Sequence, residues 1–209
     1  MISPCPGVAF TETTDGDMRA DRRARADVSR LLGIGETWAT VNQIHGDRVV
    51  VVDEPGVAGD ADALATGRAG LPLAVFTADC MGVVVMGERG VGVAHAGWRG
   101  MAKGVVSALV ETMGAAGLRP VSAWCGPTIG ACCYEVGPEV AELFAASVGS
   151  TTWGTASVDL ARAARMQLEG FETSPPAGCT MHQGPFFSHR RDGSTARMAT
   201  LAWWGGEPA

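Results

Sequence analysis

Basic charge, long apolar runs and histidine are all in short supply in this chain. Sixteen Lys and Arg stand against twenty-two Asp and Glu, a formal net charge of −6. A general nucleic-acid binder needs a basic footprint, so that class is excluded. A small anionic substrate held by a local Arg cluster is not excluded. No apolar run approaches the roughly 20 residues that a membrane-spanning helix needs. Met1-Ile2-Ser3-Pro4-Cys5-Pro6 has neither the basic nor the apolar stretch of an export signal, and a cytoplasmic protein is expected. Histidine numbers only four, which limits how many imidazole-ligated metal centres the chain can furnish.

The composition that remains is 46% hydrophobic and 18% charged, as in a folded globule. A length of 209 residues fits one domain, with a weakly patterned segment over 1–34. A domain of this size buries roughly 70% of the surface its unfolded chain exposes and needs no staples. The six cysteines, Cys5, Cys80, Cys125, Cys132, Cys133 and Cys179, are therefore expected as reduced thiols. Twenty-nine glycines imply many tight turns and close backbone approaches.

A charged helix is expected within residues 17–32, stopped by Gly33 and Gly35. Residues 37–41 and 48–53 have strand composition, and His45-Gly46-Asp47 between them predicts a hairpin turn. Residues 71–77 form another strand, with Asp79-Cys80 at its end. Residues 82–86 and 91–94 form a second hairpin, and His95 follows its outgoing strand. Ala102, Val105, Val106, Leu109, Val110 and Met113 recur at helical spacing, giving a helix that begins near Met101. Further on, the pattern predicts a strand at 121–125, a helix opened by Pro138, a helix over 158–169 capped by Ser157, and a closing strand at 198–203. Phe186 to Gly193 is a polar, turn-rich segment. Hairpins mixed with helices favour an α+β fold of layered β-sheets flanked by helices, in a single domain.

Two of the four histidines, His45 and His95, sit at strand ends, as does Cys80. Imidazole and thiolate suit zinc, and three protein ligands leave a fourth position for water or substrate, as catalytic sites do. The Gly-rich turn after His95 leads into a helix whose free N–H groups favour anions, with Arg99 and Lys103 adding positive charge. The competing account is a tight strand-to-helix turn, a solvated Arg99 and a small buried Cys80. For Cys132-Cys133, a buried packing role competes with a redox pair.

The residues that carry the signal resemble the YfiH-type laccase-domain family, variously called multicopper polyphenol oxidoreductases, purine nucleoside phosphorylases and peptidoglycan editing factors. The matching segments are Asn42-Gln43-Ile44-His45-Gly46-Asp47, Asp60-Ala61-Asp62-Ala63-Leu64, Thr77-Ala78-Asp79-Cys80 and His95-Ala96-Gly97-Trp98-Arg99-Gly100. Gly126-Pro127-Thr128-Ile129-Gly130 with Cys133-Tyr134-Glu135-Val136, and Phe187-Ser188-His189-Arg190-Arg191-Asp192-Gly193, follow in order. The resemblance implies zinc held by His45, Cys80 and His95, with copper as a possible substitute, and an α+β fold of sheet layers flanked by helices. It also implies phosphorolysis of adenosine, inosine and methylthioadenosine, and deamination of adenosine. Departures from the family pattern occur at residues 10–16, where an Arg-Gly-Gly-type segment is usual. Met81-Gly82 replaces the common x-Pro after the Cys, and Ala196-Arg197 stands in place of Gly-Arg.

A true multicopper laccase needs a blue copper site and a three-copper cluster, and four histidines cannot furnish both. Zinc brings the pKa of water toward about 7, which suits deamination, with Asp79 and Asp62 as candidate carboxylates. Asp79 could equally orient a ligand histidine. For phosphorolysis, Arg99 is the first candidate for phosphate, followed by Arg190 and Arg191, whose alternative is pairing with Asp192. Asn42 and Gln43 complete the candidate substrate contacts. The leading expectation is a zinc-dependent purine nucleoside phosphorylase with adenosine deaminase activity, acting on a small nucleoside and phosphate without nucleic-acid or membrane partners. The alternatives are a zinc amidohydrolase that edits peptidoglycan precursors and a non-catalytic zinc-stabilised binding module. Oligomeric state is left open.

Overall fold

A computed structural model describes residues 1–206. In chain order its first elements are β1 (Ile2–Cys5), β2 (Val8–Phe10), α1 (Arg22–Leu32), β3 (Ala39–Asn42), β4 (Val49–Val51), β5 (Gly56–Asp60) and β6 (Ala63–Thr66). Next come β7 (Leu73–Thr77), β8 (Met81–Gly87), β9 (Gly90–Ala96), α2 (Trp98–Lys103), α3 (Val105–Ala115) and β10 (Pro120–Cys125). The remainder is α4 (Pro138–Leu143), β11 (Val148–Ser150), β12 (Ala156–Val158), α5 (Leu160–Gln167), β13 (Glu172–Thr173), α6 (His189–Asp192) and β14 (Met198–Ala202).

The strands build two six-stranded mixed sheets and a small β11–β12 ribbon. The first sheet runs β1-β2-β14-β7-β3-β5 and the second β13-β10-β8-β9-β6-β4. Alternation along each strand sends side chains to opposite faces. In β2, Val8 and Phe10 face the second sheet while Ala9 faces α1. In β8, Val84 packs between the sheets while Val83 and Val85 pack against α3 and α5. The result is four layers, α1, first sheet, second sheet, then α2, α3 and α5, with an apolar core in each of the three gaps. The expected α+β architecture is the one observed. No helix among the described residues is long and apolar enough to cross a membrane.

Burial on both faces explains the small residues of the second sheet. A Cβ at Gly92 of β9 would stand 2.7 Å from Leu109 Cδ1 of α3. At Gly82 of β8 it would overlap Thr200 of β14, so the two sheets approach closely there. The helix α1 ends as expected, with Gly33 left-handed at φ 67° and its N–H returned to the last turn.

Several expectations need correction. Residues 37–53 do not form a hairpin: β3 belongs to the first sheet and β4 to the second, so the His45 turn is a crossover. The helix expected from Met101 starts at Trp98 and breaks at Gly104, which is left-handed at φ 87°. The cap of α5 is Asp159, which accepts from Arg162 N, because Ser157 is already inside β12. The segment 186–193 contains a helical turn, α6, capped by Ser188. Residues 1–34 carry the strands β1 and β2 besides the expected helix α1.

Candidate metal centre and substrate cavity

Three chain segments cross from the first sheet to the second at neighbouring places: β3 to β4, β5 to β6, and β7 to β8. His45 lies on the first crossing, Asp62 on the second and Cys80 on the third. His95 comes from β9, opposite Gly82, and points between the sheets. The ligand atoms of His45, Cys80 and His95 all lie within 4.8 Å of one another. Residues 15 to 50 positions apart in sequence thus converge because the crossovers stack. The rings of His45 and His95 meet edge to face, with centroids 4.8 Å apart. Gly97 leaves the room they need: a Cβ there would stand 2.9 Å from Cys80 Sγ and 3.2 Å from His45 Cδ2.

Asp62 is the node of this arrangement. It is fully buried, and its Oδ1 lies 2.8 Å from His95 Nδ1. The same carboxylate accepts N–H bonds from Ile44 (3.2 Å), His45 (2.9 Å) and Gly46 (2.6 Å). It thereby holds His45 in a left-handed conformation, φ 60°, that few non-glycine residues adopt. Asp62 also accepts His95 N on its backbone carbonyl, at 2.7 Å. Burial pushes its carboxyl pKa up, but His95 and the Gly46 and His45 N–H groups outweigh that and set it below the ordinary value.

The sulfur is poised as an anion. Burial alone would raise the Cys80 thiol, yet the His95 and His45 rings beside it pull it down to about 6. His95 is driven the other way: burial opposes its charge, while Cys80 and Asp62 raise it to about 9. A site that concentrates thiolate and imidazole nitrogen suits a borderline-soft divalent cation.

Above the three residues is a cavity of about 300 Å³, into which Arg19, Arg197, His189 and Phe76 also project. Gln43 lines it but is fully engaged: its amide donates to Phe76 O at 2.8 Å and accepts from Phe76 N at 2.8 Å. Asn42 faces away, donating to Asp60 Oδ1 at 3.1 Å. Arg99 is exposed, lies 4.3 Å above the Trp98 ring and does not line the cavity. Asp79, left-handed at φ 84°, accepts from Thr180 Oγ1 and Arg190 N, both at 2.6 Å. Arg190 sits over the Tyr134 ring and donates to Glu135 O at 2.9 Å. Arg191 donates to Thr180 O and Phe186 O and pairs with Asp192 at 3.1 Å.

The sequence pattern assigns no role to Arg19, Arg197 or His189. His189 lies in the Phe187–Gly193 segment and Arg197 just beyond it, but Arg19 sits in the charged N-terminal run with nothing to single it out. Arg25 packs against Trp38 and Phe76 and bonds Met18 O.

Residues 8–205 match the family described as multi-copper polyphenol oxidoreductase laccase. A purine nucleoside phosphorylase of Streptomyces griseus is 41% identical over 196 residues, covering 86% of this chain and 79% of the relative. One from Pseudomonas aeruginosa is 34% identical over 203 residues, covering 90% and 82%. The crystal structure of the Bacillus licheniformis hypothetical protein YfiH superposes with a TM-score of 0.81 at 25% identity, covering 96% of this chain and 97% of that one.

Proposed function

The chain belongs to the family described as multi-copper polyphenol oxidoreductase laccase, and from that premise we propose that it is a zinc-dependent purine nucleoside phosphorylase. The observation that carries the reading is a His–Cys–His set at the floor of a cavity whose wall holds Arg19, Arg197 and His189. Relatives named purine nucleoside phosphorylase support the substrate class. Copper oxidase chemistry fits poorly: of the four histidines, only His45 and His95 share a site with the Cys80 sulfur.

His45, Cys80 and His95 would hold the zinc, whose contribution when bound is Lewis-acid stabilisation of charge at the reacting centre. Asp62 accepts a hydrogen bond from the Nδ1–H of His95 and so leaves Nε2 as the ligand atom. Arg19 and Arg197 hold phosphate through charge-assisted hydrogen bonds. A phosphate oxygen bonds to the anomeric carbon as the glycosidic C–N bond breaks. The base leaves with the electron pair and takes up a proton. No Asp or Glu lines the cavity among the described residues. His189, the imidazole there outside the metal set, supplies that proton. Asp62 and Asp79 act by position: the first orients His95, and the second ties Thr180 and Arg190 to the segment before Cys80. Adenosine deamination is the second activity of the same cavity. Its volume, about 300 Å³, is at the small end of ligand sites and suits a nucleoside better than a peptide-bearing cell-wall precursor.

The test is to incubate zinc-loaded protein with adenosine and phosphate and separate the products. Adenine and ribose 1-phosphate are expected in equal amounts, with release dependent on phosphate. No turnover at full zinc occupancy rejects the reading.

A further inference from the structure

Behind the cavity wall the chain gathers a second set of soft donors. Cys132, Cys133, Cys179 and His182 place all their ligand atoms within 4.8 Å of one another. Cys133 Sγ lies 3.0 Å and Cys132 Sγ 3.9 Å from His182 Nδ1. The donors come from two loops, one after β10 and one before α6. The second contributes Cys179-Thr180-Met181-His182, a Cys-x-x-His spacing that turns both ends toward one point.

We propose that Cys132, Cys133, Cys179 and His182 form a second zinc site, closed by four protein ligands, that staples these two loops together. A tetrahedral ion with Zn–S bonds of about 2.3 Å has ligand atoms about 3.7 Å apart. The observed spread brackets that value, so closure needs only small side-chain shifts. Four ligands leave no open position, which marks a structural ion.

The backbone is shaped for such an ion. Gly130 N donates to Cys179 Sγ at 3.2 Å. A Cβ on Gly130 would crowd Cys132 Sγ at 3.1 Å and Cys179 Sγ at 3.5 Å. The Met181 and His182 N–H groups also point at the Cys179 sulfur.

The staple reaches the cavity through short links. Thr180, between Cys179 and His182, is the hydroxyl that bonds Asp79. Thr128 Oγ1 and Ile129 N bond the Asp79 carbonyl at 2.8 and 2.9 Å. Tyr134 follows Cys133 directly and carries Arg190 on its ring.

The experiment is zinc analysis of the full chain purified anaerobically with reductant. Wild type is expected to hold about two zinc ions per chain. The double variant Cys80→Ser/His95→Ala should keep about one, and Cys179→Ser should also keep about one. If Cys179→Ser does not fold, His182→Gln, at an exposed position, must lower both zinc content and Tm. Cobalt loaded into Cys80→Ser/His95→Ala should give a sulfur-to-cobalt charge-transfer band. A wild-type content of about one zinc, unchanged zinc in the Cys179 or His182 variant, or a metal-free chain two hydrogens lighter than the reduced mass overturns the proposal. These readouts are metal content and mass, so they stand apart from any result on nucleosides.

Discussion

Asp62 Oδ1 lies 2.8 Å from His95 Nδ1, and the same buried carboxylate ties down the backbone of His45. One anion therefore sets the direction of two of the three ligands. Asp62→Asn keeps the volume but replaces one of the two acceptor oxygens with a donor facing N–H groups. Zinc affinity is expected to fall about 10- to 100-fold, the usual effect of losing such an orienting carboxylate. Competition with a chromophoric chelator measures it, and equal affinity in variant and wild type would remove Asp62 from this role.

Asp62 also links stability to acid. Its folded pKa is depressed, so its contribution is complete above the unfolded value near 3.9 and is lost as pH falls through the folded value. Chelated wild-type protein should thus lose stability between about pH 5 and pH 2 more steeply than chelated Asp62→Asn. Urea melts at several pH values give the slopes, and parallel slopes would contradict the expectation.

Gly97 is needed for the space its missing Cβ leaves beside Cys80 and His45. Gly97→Ala should displace the sulfur and one ring, lowering zinc affinity at least about tenfold while changing stability by about 1–3 kcal/mol. Metal titration and thermal melting separate the two effects. Undiminished affinity in a folded variant counts against the close approach.

Arg19 and Arg197 line the cavity and Arg99 does not. Arg19→Ala is expected to raise the KM for phosphate about 10- to 100-fold, the range for loss of a charged hydrogen bond of about 1.5–3 kcal/mol. Arg99→Ala should leave that KM within about twofold, since only its stacking on Trp98 is lost. The reverse ranking in steady-state kinetics would move the phosphate seat to Arg99.

The two sheets touch at Gly82 and Thr200. Gly82→Ala overpacks that contact and should cost about 1–3 kcal/mol. Thr200→Ala added to it should recover part of the loss, a non-additivity that denaturation of the four proteins measures. Strict additivity would mean the residues do not meet.

Much of this was legible in the residues. His45, Cys80 and His95 stand out because imidazole and thiol are few and sit at strand ends, and the helices α1 and α3 follow from their periodicity. What escaped was decided over distance. Residues 37–53 have the same composition whether their strands pair or part to different sheets, so the crossover at His45 passed for a hairpin. Asp62 and Asp79 are indistinguishable as acids in turns, and only packing shows that Asp62 reaches His95 while Asp79 reaches Thr180. Cys132 and Cys179 are too far apart in sequence to announce a shared site. Arg19 lies in a run of charges, and nothing local says which of them bends over the cavity.

The strand β14, near the end of the described chain, inserts between β2 and β7 in the middle of the first sheet. The sites of His45, Asp62 and Cys80 are fixed only where that sheet abuts its partner. Capture of an ion by these residues is then expected late, after the chain has been made through Ala202 and β14 has slotted home. A ribosome-bound chain ending before Met198 should leave the three donors adrift, so metal uptake can serve as a clock for the final step of folding.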